Sequence, residues 1–208
     1  TEDLVFANNF LNNEINQSGI YEGTIKPSKK PADKLIVKKN IFNTLFLFSK
    51  NLYRYYTSPA ANDNHCPNPL LISFYKYFLT PYRAKRVNHY LKNDYVVPKD
   101  LEKNEFVFFP MHTEPEVSLL VYSRPFINQI EVIRYLALSL PIGMKLVIKE
   151  HPWMIGKRKL SSYKKIRNIP NVLLSSPEIS TNDWISQCKM VAVISSSVGQ
   201  EAAFMGKP

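Results

Sequence analysis

Apolar side chains recur along this chain in two rhythms, and the change between them falls near residue 100. Before it, from Asp33 to about Tyr56, Leu35, Ile36, Ile41, Leu45, Phe46 and Phe48 recur at mixed three- and four-residue spacing. That spacing predicts a helix. Thr57 to Pro69 is broken by prolines and reads as a loop. A second helical run covers Leu70 to Lys92. Pro81 is expected to kink or split it, because proline lacks an N–H and crowds the preceding turn. Residues 1–32 are rich in Asn and carry Gly23, Pro27 and Pro31, the composition of a loosely structured edge.

Beyond Asp100, short apolar runs alternate with helical patterns. Phe106–Pro110 (FVFFP), Lys145–Lys149 (KLVIK), Asn171–Leu174 (NVLL) and Met190–Ile194 (MVAVI) have the length and composition of buried strands. Pro125–Leu140 places its apolar residues on one broad face, opens with proline in the first turn, and is stopped by Pro141 and Gly143. Thr181–Gln187 is a shorter helix with Thr181 or Asn182 as its expected cap, and another runs from Val198 to Met205. This alternation predicts an α/β fold, a parallel sheet with helices on both faces. The chain divides into an edge (1–32), a helical, basic segment (33–100) and an α/β domain (101–208). It starts at Thr1 rather than Met and stops at Pro208 just after a helix, so it reads as part of a longer protein, truncated at both ends.

Charge sharpens this division. Residues 1–25 hold four acids and no Lys or Arg, whereas residues 26–100 hold fourteen Lys or Arg against four Asp; the whole chain carries +10. A basic surface suits nucleic acid, anionic lipid or an acidic polymer. The run Lys26–Lys39 has no aromatic residues, and Tyr53, Arg54, Tyr55 and Tyr56 point around a helix rather than along one face. Nucleic acid is therefore not the expected partner. No window approaches ~18 uninterrupted apolar residues, which excludes a membrane-spanning helix. Cys66 and Cys188 lie far apart and outside any CxxC pattern, which argues against a disulfide framework or zinc site and fits a cytoplasmic setting.

In parallel sheets ligands sit at the carboxyl ends of strands, so the residues that follow each strand are the candidates. The first strand is followed by His112, Glu114 and Glu116; the second by Glu150, His151 and Pro152, with Gly156, Lys157 and Arg158 beyond; the fourth by Ser195, Ser196, Ser197, Gly199 and Glu201. Serine hydroxyls beside the unpaired N–H groups of a helix start can hold a phosphate, or can simply cap the helix. His151, kept extended by Pro152, can donate to a phosphate or a leaving-group oxygen. Glu114 and Glu116, two apart, would project to one side of an extended segment as a base or as sugar-hydroxyl acceptors. Glu201 could accept from ribose hydroxyls, and Gly199 allows either close ligand approach or tight helix packing. His112 has no neighbour in sequence that fixes a role. No spacing supports a metal site.

FFPMHTEPEVSL, SLPIGMKLVIKEHPWMIGKR, IPNVLL and VAVISSSVGQEAAFMGKP occur in that order over about residues 105–208. Together they resemble the capsular polysaccharide biosynthesis family, which includes Kdo transferases. The His-Pro and serine motifs are also similar to those of bacterial polysialyltransferases. The resemblance implies a GT-B glycosyltransferase of which residues 101–208 form an incomplete, Rossmann-like C-terminal half. It implies that His151, Pro152, Ser195–Ser197, Gly199 and Glu201 hold a CMP-linked sugar donor, CMP-Kdo or a similar sugar, without a metal. Glu116 and Glu114 would face the sugar or a glycan or glycolipid acceptor. The setting implied is the cytoplasm, peripheral to the inner face of an anionic membrane, with no separate cofactor. The alternatives are a CDP-glycerol-type polymer transferase and a non-catalytic polysaccharide export or assembly protein that keeps the nucleotide fold.

Overall fold

The computed structural model describes residue 5 and residues 41–57, 68–101 and 105–208. The edge at 1–32, the start of the first expected helix and Cys66 lie outside the described residues, Val5 excepted. The first helix is seen as α1 (Ile41–Tyr56). The second begins as α2 (Pro69–Phe74), widens into a π-helical turn at Tyr75–Leu79 and continues as α3 (Thr80–Leu91). The widening falls just ahead of Pro81, where the missing N–H leaves the regular ladder without a donor.

The α/β part contains β1 (Tyr95–Val96), β2 (Phe106–Pro110), α4 (Gln129–Ser139), β3 (Lys145–Lys149), α5 (Leu160–Arg167), β4 (Val172–Ser175), α6 (Thr181–Gln187), β5 (Met190–Val191) and α7 (Val198–Phe204). All five strands are parallel, in the order β1-β4-β3-β2-β5. From β2 the chain lays β3 and then β4 on one side and later returns to place β5 on the other. The gap between the ends of β2 and β5 is therefore a topological switch point, where doubly wound sheets open a crevice.

Alternation along the strands sorts the core into two layers. Val107, Phe109, Leu146, Ile148 and Leu174 face Ile133 and Ala137 of α4, Tyr163 and Ile166 of α5, and Val87 and Leu91 of α3. Phe106, Phe108 and Val147 face Trp184 and Ile185 of α6 and Ala202 of α7. Trp184 is fully buried, stacked on Phe108 and edge-on to Phe106, and its indole N–H donates to Ser175 Oγ at 2.6 Å. Burying such side chains is worth about 1.5–3 kcal/mol each, and the indole adds no unsatisfied donor.

The sheet departs from expectation in its details. β5 stops at Val191, although Ala192 N–H still reaches Phe108 O at 2.9 Å. Ser180, rather than Thr181 or Asn182, caps α6, with its hydroxyl accepting from Asn182 N–H. The Pro125–Leu140 run splits into a tight turn at Arg124–Phe126 and then α4. β1 and α5 were not expected. Val87 and Leu91 of α3 lie in the core and β1 pairs with β4, so the α/β unit takes in residues upstream of position 101.

One glycine fixes how α3 meets the sheet layer. Gly156 has φ +86°, and a Cβ there would stand 2.3 Å from Thr80 O. Gly156→Ala should destabilise the fold by about 2 kcal/mol or more, through strain at a positive φ and displacement of α3. Chemical denaturation monitored by circular dichroism measures this; an unchanged midpoint would contradict it.

Candidate functional site

β2 delivers its chain to the rim with Met111 N–H still bonded to Lys149 O at 2.9 Å. The next residue, His112, is 5% exposed and held on every side. Its backbone N–H donates to Gln129 Oε1 at 2.8 Å, and its carbonyl accepts from Gln129 Nε2 and from Arg158. Gln129 is the first residue of α4 and is itself buried. The imidazole bridges two loops: Nδ1 lies 3.1 Å from Glu116 Oε2, and Nε2 lies 3.3 Å from Ser195 N. An N–H can only donate, so Nε2 is the acceptor and Nδ1 carries the proton toward the carboxylate. This contact joins the ends of β2 and β5 across the switch point.

A second network supports the first from below. Arg158 is 7% exposed and donates through Nε to Glu150 Oε2 at 2.6 Å, through one terminal nitrogen to Glu114 Oε1 at 2.9 Å, and through the other to His112 O at 3.2 Å. Tyr163 O–H also donates to Glu150 Oε2, and His151 N–H donates to Glu150 Oε1 at 2.9 Å. Burial raises the Glu150 carboxyl, and Arg158, Tyr163 and the His151 N–H oppose it. Burial likewise disfavours the Arg158 charge, but Glu150 and Glu114 more than compensate and hold the guanidinium protonated. Gln129 Nε2 makes a very short contact with Glu114 Oε1.

His151 follows β3 on the same rim. Its Nδ1 accepts from Trp153 N–H at 3.2 Å, which leaves Nε2 as the proton-bearing nitrogen of the neutral ring. Burial lowers its pKa; the Glu116 charge works against this, and Lys149 and Lys157 add to it. Glu116 thus acts electrostatically on His151 while bonding His112. Burial would raise the Glu116 carboxyl, but its hydrogen-bonding neighbours, His112 and Thr113 among them, bring it below the usual range. Lys149 points to the opposite layer, 9% exposed, and its Nζ donates to Thr181 Oγ1 at 3.0 Å. Burial pulls this ammonium down to about 8 against the attraction of Asp183.

The serine turn divides its labour. Ser196 Oγ accepts from Val198 N–H two residues on, a local turn bond. Ser197 is the N-cap residue but its side chain makes no cap, and Ser195 and Ser197 are exposed with hydroxyls that have no hydrogen-bond partner among the described residues. Gly199 serves packing, since a Cβ there would meet Val193 Cγ2 at 2.9 Å. Burial raises the Glu201 carboxyl, which is half-buried. Pro152 opens a short turn over residues 152–154. Glu114 and Glu116 do not act as a pair: Glu114 is committed to Arg158 and Gln129, and Glu116 to His112 and Thr113. Thus His112, Glu116 and Ser195 are directly joined, His151 lies within their field, and Glu114 belongs to the supporting network. Sequence reasoning missed Gln129, Lys149 and Tyr163, and it named Glu150 and Arg158 after the second strand without giving either a role. The one available signal was the pair Lys149-Glu150, two charges closing an apolar strand. Among the described residues, no group of three or more His, Cys, Asp or Glu is placed to hold a metal ion.

Two substitutions test these electrostatics. Arg158→Met leaves Glu150 buried without its cation and should cost about 3–5 kcal/mol. The raised folded pKa of Glu150 means the penalty is smallest below the carboxyl's unfolded value and grows as pH rises through the folded one. Denaturation midpoints across pH measure this, and adding Glu150→Gln should recover part of the loss. Lys149 has the opposite sign. Its folded pKa of about 8 lies below the ordinary 10.5, so the ammonium weakens the fold increasingly as pH falls between those values and fully below them. Lys149→Met should therefore stabilise the protein by about 1–2 kcal/mol near neutral pH, with the gain fading above about pH 10.

Compared with family models, curated proteins and solved structures, the chain matches none of them.

Proposed function

We propose that this chain carries the donor-binding part of a glycosyltransferase that uses a nucleotide sugar, CMP-linked, in capsule or surface polysaccharide assembly. The reading extends the α/β fold to one half of a GT-B enzyme. The observation that carries it is the His112–Ser195 contact at the switch point, which holds a turn whose Ser195 and Ser197 hydroxyls have no partner among the described residues, on the rim where His151 presents an Nε2–H. Motif order in the sequence points the same way.

In the transfer, the bond between the anomeric carbon and the phosphate oxygen breaks as an acceptor oxygen bonds to that carbon. The electron pair departs with the nucleotide phosphate, and the proton lost by the acceptor hydroxyl passes to solvent water. Donors fixed in advance where negative charge develops supply most of the rate enhancement in such reactions. The Ser195 and Ser197 hydroxyls and His151 Nε2–H are the donors here. His112 and Glu116 position the serine turn; Glu116, with its lowered pKa, is ionised and directed at His112, which suits orientation better than proton abstraction. The neutral His151 donates a hydrogen bond without having to give up its proton.

His151→Ala should lower transfer by about a hundredfold, the loss typical of one such donor, with Glu150 and the β3 end unaffected because its anchor is the backbone N–H. Initial rates with CMP-Kdo, CMP-sialic acid, a UDP-sugar and CDP-glycerol identify the donor. Calorimetry with CMP gives an independent check: no heat of binding by the chain would remove the proposal.

A further inference from the structure

α1 has two apolar faces. On one side, Phe48 is edge-on to Phe78 with ring centroids 5.7 Å apart, and Asn51 Nδ2 donates to Ser73 Oγ at 3.1 Å, seating α1 against α2 and the π-helical turn. The other face carries Phe42, Leu45, Phe46, Tyr53 and Tyr56. These positions follow the three-to-four-residue helical period, so they form one stripe. Every member is exposed, Phe42 at 80% and Tyr53 at 72%. On α2, Leu71 and Phe74 are also at least half exposed.

Charge decides what such a stripe meets. Residues 41–57 and 68–92 contain seven Lys or Arg and no Asp or Glu. Lys50 and Arg54 flank the stripe, and neither joins an ion pair among the described residues. Lys50 Nζ instead lies 6.0 Å from the Phe46 ring centroid. A protein–protein interface core is depleted of lysine. A helix lying in a membrane interface has the opposite composition: Phe and Leu on one face, tyrosine at headgroup depth, and Lys or Arg alongside. No helix among the described residues is long and apolar enough to cross a membrane, so contact through these helices is with its surface.

We infer that the exposed stripe of α1, with the flanking Lys50 and Arg54, docks this protein on an anionic phospholipid bilayer. Apolar side chains enter the acyl boundary while the cations meet phosphate headgroups, each contributing about tenfold or less in partitioning at physiological ionic strength. The inference is independent of the donor site and needs no nucleotide for its test.

Co-sedimentation of the full chain with vesicles provides that test. Phosphatidylcholine vesicles containing about a third phosphatidylglycerol should retain the protein, and pure phosphatidylcholine should retain at least about tenfold less. Raising the salt to about 1 M should release most of it. Phe42→Ser combined with Phe46→Ser should weaken binding at least about tenfold, and Lys50→Glu combined with Arg54→Glu should abolish the preference for phosphatidylglycerol. All four positions are on the surface, so circular dichroism should be unchanged. No retention on the anionic vesicles, equal salt-independent retention on both kinds, or retention of the phenylalanine double variant at the wild-type level would each overturn the inference. Self-association that the same double variant abolishes would instead assign the stripe to a second copy of the chain.

Discussion

The buried guanidinium of Arg158 joins the ends of β2 and β3, and the arrangement of the rim follows from its demands. A planar fork can satisfy several acceptors only if they stand at set directions around it, and here they are Glu150, Glu114 and the His112 carbonyl. A buried ion pair of this kind seldom adds net stability over apolar packing, so its main consequence is geometric. With its carbonyl held by Arg158 and Gln129 and its N–H by Gln129, His112 has no backbone freedom left. The Glu116 carboxylate then selects the tautomer, and the remaining lone pair reaches Ser195 N–H. Rigid support of this kind is what a site needs if donors are to be in place before charge develops.

Lys149 and Glu150 show how one strand serves both layers. Successive side chains point to opposite faces, so Glu150 goes to Arg158 and Tyr163 beside α5, while Lys149 goes to Thr181 at the start of α6. Glu150 is matched by a cation. Lys149 has a hydroxyl and a more distant carboxylate, which leaves its charge poorly compensated and its pKa down at about 8. Strained electrostatics of this kind tend to collect at functional sites, and this residue lies at the end of the strand that leads into His151.

The parts of the fold that could be read from sequence were those whose signal is local. FVFFP and KLVIK are continuous apolar runs because both of their faces are buried, and both strands are found where those runs lie. β1 is two residues long and has no pattern to read. α5 (LSSYKKIR) buries only Tyr163 and Ile166 fully, so its polar majority hides a helix that the β3–β4 crossover requires. The site was less legible because its bonds are long-range. His112 finds Glu116 four residues away, but also Gln129 at seventeen and Ser195 at eighty-three. Nothing adjacent to His112 announces those partners, whereas His-Pro and Ser-Ser-Ser are conspicuous as strings. Glu114 and Glu116 looked alike in sequence and received different partners because the segment carrying them is not a straight strand.

The exposed helices and the rim are mechanically continuous. α2 passes through the π-helical turn into α3 without a loop, and α3 enters the core through Val87 and Leu91. Its first residue, Thr80, lies against Gly156, where even a methyl group would not fit. Gly156 is five residues beyond His151 and two before Arg158, so the contact sits within the segment that shapes the site. α1 is seated on α2 and the π-helical turn by aromatic contacts and the Asn51–Ser73 bond. The orientation of α1 is therefore passed to the rim through packed helices rather than a flexible linker, and a chain held at a surface through α1 presents its carboxyl rim in one direction.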